Sequence, residues 1–163
     1  MVYDAGNCAG FARANEGIRS RCLAMEFLYD LQTGISCHMQ CKTILYIEDN
    51  QANLTLLERV IGLMDGVRMV PGTSGEEGLD LVEQVKPDLI LLDINLPGIS
   101  GLEVLHSLKG MPHTSAIPVI ALTASASNAE LEEGLEAGFN EYLTKPFHVK
   151  DFLEIVKGYL NES

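Results

Sequence analysis

Tryptophan is absent from this 163-residue chain, and nowhere do apolar residues run on for the roughly 20 positions a membrane helix requires. No basic stretch precedes an apolar one at the N-terminus, Met1-Val2-Tyr3-Asp4, which argues against a secretory signal and predicts a cytoplasmic, reducing setting. Positive charge is scarce: 11 Lys and Arg stand against 23 Asp and Glu, a formal net charge of −12. Such a surface repels nucleic-acid phosphates and anionic membranes, so neither is an expected partner. Cysteine is missing from everything after residue 41; the four are Cys8, Cys22, Cys37 and Cys41 itself. The run Cys37-His38-Met39-Gln40-Cys41 matches none of the usual zinc-finger spacings, so incidental reduced thiols are the expectation. What is present in quantity is apolar residues, 47% of the chain, which excludes disorder throughout. The length suffices for one complete domain and a tail.

Composition changes near residue 41. Before it lie Gly6, Gly10, Gly17 and Gly34 and no strand pattern. Ile18, Cys22, Met25 and Tyr29 recur at helical spacing, so residues 1–41 read either as an extension with an amphipathic helix over about 18–31 or as an unstructured leader. From Lys42 to Ser163 strands and helices alternate. Strands are predicted at Thr43–Glu48, Val67–Pro71, Asp88–Asp93, Pro118–Thr123 and Phe139–Leu143. Helices are predicted over Asn53–Met64, from Ser74, from Ser100 to about Lys109, from Ser127 to about Ala137, and over Val149–Leu160. The three serines each precede a glutamate three positions on (Glu77, Glu103, Glu130), the pattern of a capping box. Five strands alternating with five helices call for an α/β, doubly wound parallel sheet, and short strands favour the flavodoxin-like order 2-1-3-4-5. In that order the first and third strands are neighbours and a crevice opens at their C-terminal ends.

Polar residues close these strands. Glu48 and Asp49 follow Ile44-Leu45-Tyr46-Ile47, Asp93 ends Leu89-Ile90-Leu91-Leu92, Thr123 ends Val119-Ile120-Ala121-Leu122, and Lys145 follows Tyr142-Leu143-Thr144. Three carboxylates so close together repel unless a cation offsets them, and hard oxygen ligands without imidazole or thiolate suit Mg²⁺, with Mn²⁺ as the substitute. Asp93 is the expected nucleophile, since the loop Ile94-Asn95-Leu96-Pro97-Gly98 after it can leave one oxygen accessible. Attack on phosphorus spreads charge over the equatorial oxygens, which Lys145 and Thr123 are suited to stabilise.

Together these residues resemble the receiver domain of two-component response regulators over residues 42–163: Glu48-Asp49, Asp93 with Leu96-Pro97-Gly98, Thr123-Ala124 and Lys145-Pro146-Phe147 occur in the family's order. The resemblance implies that Asp93 accepts phosphate and that Asp49 binds Mg²⁺ directly. It also implies that Glu48 acts through a metal-bound water and that the Asn95 carbonyl completes the protein ligands. Thr123 would bond a phosphoryl oxygen, and Lys145 would pair with the phosphoryl group or, before phosphorylation, with Asp93. A cis peptide is expected at Lys145–Pro146. The family's switch implies that Thr123 moves inward on phosphorylation and Tyr142 turns after it, changing the face of the fourth helix, fifth strand and fifth helix. Asn95 and Ser125 occupy positions that tune the phosphoryl lifetime; both are small and polar, which implies seconds to minutes. Expected partners are a histidine kinase or phosphotransfer protein, a downstream protein target and a second copy of the chain. Such a domain is not an enzyme acting on a free substrate, although it accelerates loss of its own phosphate. The end at Ser163 leads one to expect no effector domain, hence a stand-alone regulator, a relay intermediate or the receiver of a hybrid sensor kinase.

The competing enzyme reading is a phosphohydrolase of the haloacid dehalogenase type, which also uses an aspartyl nucleophile. Those enzymes carry a second acid two residues after it, where this chain has Asn95, and a cap for which there is no room. A flavodoxin-like electron carrier is disfavoured because Asp49-Asn50-Gln51 puts an acid where a flavin phosphate would sit. His106, His113 and His148 lack metal or catalytic spacing; His106, on the third helix, and His148, near the start of the last, read as surface residues, and Glu130, Glu132, Glu133 and Glu136 as a solvated helix face.

Overall fold

The computed structural model describes residues 41–124 and 134–161. All of these except Cys41 belong to the second of two units into which the chain divides, Lys42–Ser163. Its strands are β1 (Lys42–Ile47), β2 (Val67–Gly72), β3 (Leu89–Asp93), β4 (Val119–Thr123) and β5 (Glu141–Thr144). Its helices are α1 (Gln51–Ile61), α2 (Gly75–Val85), α3 (Gly101–Gly110), α4 (helical at the described residues 134–137) and α5 (Val149–Asn161). The strands form one sheet in the order β2-β1-β3-β4-β5, every neighbouring pair parallel. The predicted fold class and strand order are those observed. The predicted helix at 18–31, Ser125, most of the helix opened by Ser127, and most of the cysteine cluster lie outside the described residues.

Apolar residues on both pleats of the central strands explain the layering. In β1, Ile44 and Tyr46 face α1 and α5, where Leu54, Leu57, Phe152 and Val156 meet them. Leu45 and Ile47 face the other way, toward Val82 of α2 and Val104, Leu105 and Leu108 of α3. Strands β3 and β4 repeat this alternation, so their interiors are apolar throughout. Burying one such side chain contributes about 1.5–3 kcal/mol, so these two layers supply most of the driving force.

Local signals set the helix ends. Asn50 caps α1, its Oδ1 accepting from the amides of Ala52 and Asn53, so the helix starts at Gln51 rather than the expected Asn53. Ser100 and Glu103 form the predicted capping box on α3. At α2, Ser74 caps as expected, but Glu77 turns to the amide and hydroxyl of Thr73, each 2.6 Å away, instead of closing the box. Strand β5 starts at Glu141 rather than Phe139, because the Phe139 amide donates to the Gly134 carbonyl and still belongs to the end of α4.

Strand β2 is an edge and includes Pro71, opposite Tyr46. The carbonyls of Gly66 and Gly72 accept from the amides of Lys42 and Glu48. Even-numbered residues of β2 therefore turn their backbone toward β1, and Val67, Met69 and Pro71 turn theirs outward.

Candidate functional site

The parallel sheet brings the C-terminal ends of β1, β3, β4 and β5 to one edge. Register places Ile47 beside Leu92, Asp93 beside Leu122, and Thr123 beside Thr144. Glu48 and Asp49 leave β1 there, Asp93 closes β3, Thr123 closes β4, and Lys145 leaves β5. The Lys145 amide donates to the Thr123 carbonyl at 2.7 Å, which fixes where its side chain starts. The Lys145–Pro146 peptide is cis, as expected.

From that anchor the lysine stem reaches across β4. Its Nζ donates to Asp93 Oδ2 at 2.6 Å and forms a second ion pair with Glu48 Oε2. The expected pairing with Asp93 is present, and Glu48 joins it. The carboxylates are well withdrawn from solvent: Glu48 is 1% and Asp93 7% exposed. Burial opposes the charge on Glu48, but hydrogen bonds from Lys145, Tyr46 and Asn53 outweigh it and hold the carboxyl below its usual range. Burial likewise opposes the ammonium of Lys145, and its bonds to Asp93 and Glu48 outweigh that and raise it above the usual lysine value.

The other Asp93 oxygen, Oδ1, accepts from the Asn95 amide at 2.7 Å, a local bond that sets the start of the β3–α3 loop. Gly101, the first residue of α3, lies so close to this turn that a Cβ there would fall 2.5 Å from the Asp93 carbonyl oxygen. Asp49 and Asn95 are exposed at the same edge. Thr123 is buried at 2% exposure. Tyr142 is half-buried, edge-on to Phe139 with ring centroids 5.1 Å apart. Its hydroxyl occupies the position a side chain at Gly134 of α4 would need, 1.4 Å from an ideal Cβ.

Reasoning from the sequence passed over two residues. Tyr46 reads as core, and it is fully buried, but its hydroxyl donates to Glu48 Oε2 at 2.5 Å. Asn53, in the first turn of α1, donates from Nδ2 to Glu48 Oε1 at 3.0 Å. A signal for the first was available: Tyr46 stands two positions before Glu48, and residues two apart on a strand share a face. His113 Nε2 meets Glu83 Oε1 at the surface, while His106 and His148 are exposed as expected.

The donor chemistry suits a hard divalent cation. Among the described residues no three carboxylate, imidazole or thiolate side chains close into a cage. Mg²⁺ does not ask for one, since it typically takes one or two carboxylates and keeps several waters. Two buried carboxylates on a single ammonium, with a third carboxylate at the rim, leave an excess of negative charge that a small cation would offset.

The model of the response regulator receiver domain matches residues 44–157. The chain belongs to this family. A curated relative, the polar-differentiation response regulator DivK of Brucella ovis, is 40% identical over 122 residues, covering 75% of this chain and 98% of the relative. Among solved structures, the receiver domain of a sensor histidine kinase from Pseudomonas aeruginosa PAO1 is 31% identical, with a TM-score of 0.67 over 74% of this chain and 98% of its own. That structure holds a magnesium ion coordinated in its active site cleft. The Mn²⁺-bound form of response regulator Rcp1 is 33% identical, with a TM-score of 0.62 over 72% of this chain and 90% of its own. The receiver is a signalling domain, and these similarities lend no support to the phosphohydrolase reading. Among the described residues no helix is long and apolar enough to cross a membrane.

Proposed function

We propose that this receiver takes a phosphoryl group from the phosphohistidine of a partner protein onto Asp93. The observation that carries the proposal is the convergence of Asp93, Glu48 and Lys145 at the sheet edge, with Lys145 bonded to both acids. A carboxylate oxygen of Asp93 attacks phosphorus, the P–O bond forms as the P–N bond to the donor imidazole breaks, and the imidazole departs with the bonding pair. Lys145, already beside Oδ2, follows the charge onto the phosphoryl oxygens, and the Thr123 hydroxyl donates to one of them. Asp49, Asp93 and the Asn95 carbonyl would hold Mg²⁺, or Mn²⁺ in its place, with Glu48 acting through a bound water. The cation would supply positive charge against the transferring group.

The output reading follows from where Tyr142 sits. Movement of Thr123 toward the phosphoryl group opens space along β4, and the Tyr142 ring turns into it. That changes the surface formed by α4, β5 and α5, where a downstream protein target or a second copy would dock. The domain works as a stand-alone regulator, a relay intermediate or the receiver of a hybrid sensor kinase in the cytoplasm, and it accelerates loss of its own phosphate. The test is incubation with a small phosphodonor and Mg²⁺, followed by intact mass. Wild type gains one phosphate and Asp93→Ala gains none; equal gain in both would refute the assignment.

A further inference from the structure

Glu48 is bonded more fully than either other acid of the site. Its Oε2 accepts from the Tyr46 hydroxyl and from Lys145, and its Oε1 accepts from Asn53 Nδ2 at 3.0 Å and from the Asn50 amide at 3.3 Å. An ionised carboxylate offers about four lone-pair sites. In this arrangement all of them are taken, and none is left for a cation or its waters. One donor must therefore let go before Glu48 can serve a metal. Tyr46 cannot do so cheaply: it is fully buried on β1, packed among Leu54, Leu57 and Phe152, and a buried hydroxyl without a partner is costly. The Asn50 amide belongs to the backbone that opens α1, and Asn53 sits in its first turn. Lys145 is different. It arrives on a flexible stem with 19% of its side chain exposed, and it has Asp93 as a second partner.

We propose that Tyr46 is a positioning residue of the phosphoacceptor site, holding the Glu48 carboxylate in place while Lys145 exchanges with the divalent cation. This rests on the phosphoacceptor reading above. Tyr46 touches neither the phosphoryl group nor the metal; it acts through Glu48. The lone pair that loss of the Tyr46 hydroxyl would free faces the fully buried ring and the apolar cluster around it, where no cation or bound water reaches. Oε2 would then lean on Lys145 alone, which makes the lysine harder to withdraw and leaves the carboxylate less fixed once it goes. Both effects weaken cation binding.

The experiment is calorimetric titration of the full chain with Mg²⁺, and with Mn²⁺ as a second probe, for wild type, Tyr46→Phe, Glu48→Gln and the double variant. Thermal unfolding without metal reports the purely structural cost of each change. Tyr46→Phe should weaken Mg²⁺ binding about three- to tenfold, the worth of one hydrogen bond. In the Glu48→Gln background the same change should cost less than about twofold, because the residue it acts through has lost its charge. Unaltered affinity in Tyr46→Phe overturns the proposal, even if that variant melts earlier. So does a loss that persists in full beside Glu48→Gln, since Tyr46 would then act through packing. Intact mass after a small phosphodonor separates the two readings. If wild type takes phosphate while Tyr46→Phe binds Mg²⁺ normally, only the positioning role falls; if wild type takes none, both fall.

Discussion

Thr73 gives Glu77 two hydrogen bonds, from its amide and its hydroxyl, and these hold the carboxyl below its ordinary value of 4.5. A carboxyl lowered on folding stabilises the folded state above the unfolded pKa, and that contribution fades as pH falls through 4.5 toward the folded value. Glu77→Gln should therefore lower stability at neutral pH, by less than about 1 kcal/mol because the pair is exposed to solvent. The deficit should shrink in acid, as followed by melting curves across the pH range; a deficit of constant size would show that charge is not involved. Glu77 also marks what sequence could not say at this scale. Its spacing from Ser74 suits a capping box, yet Thr73 offered two donors where Ser74 offered one. At the site, Glu48, Asp93 and Lys145 were legible because each interrupts or follows an apolar strand. Tyr46 was not, because an aromatic inside such a strand looks like packing until its hydroxyl is given a partner.

The elements were legible where periodicity and caps agreed. Ser100 with Glu103 placed the start of α3 correctly, and the apolar runs of β3 and β4 marked both as strands. Boundaries failed where a neighbour competed for a backbone group, as Asn50 did at α1 and the Gly134 carbonyl did before β5. Gly101 carries the sharpest element-level consequence. A methyl group there meets the Asp93 carbonyl oxygen at 2.5 Å and the Ile94 Cα at 2.7 Å, both main chain, so no side chain can swing aside. Gly101→Ala should cost roughly 1–3 kcal/mol or more in denaturant unfolding, and it should slow phosphate uptake by shifting the turn that bears Asp93. Wild-type stability in this variant would mean that α3 can slide outward freely.

At the scale of the whole molecule, the excess of acid dominates. Twenty-three acidic side chains against 11 basic ones make the native state repel itself, because folding concentrates the charge. Raising salt from about 0.01 M to about 0.15 M shortens the screening length from about 30 to about 8 Å. The melting temperature should rise over that range in a scanning calorimeter, and a fall would show that attractive pairs such as Lys42 with Asp88 outweigh the excess. The strand order, by contrast, was legible: alternation calls for parallel strands, right-handed crossovers leave few orders, and short strands favour the one observed among them.

Pro71 has a consequence beyond its own strand. The outward side of β2 presents amide hydrogens at Val67 and Met69, then a ring with no hydrogen to give. An incoming strand would therefore find the described sheet a poor template at the end of β2 next to the acidic cluster. Ribbon-like stacking of this unit through that margin is discouraged, and association between copies is left to its helical surfaces.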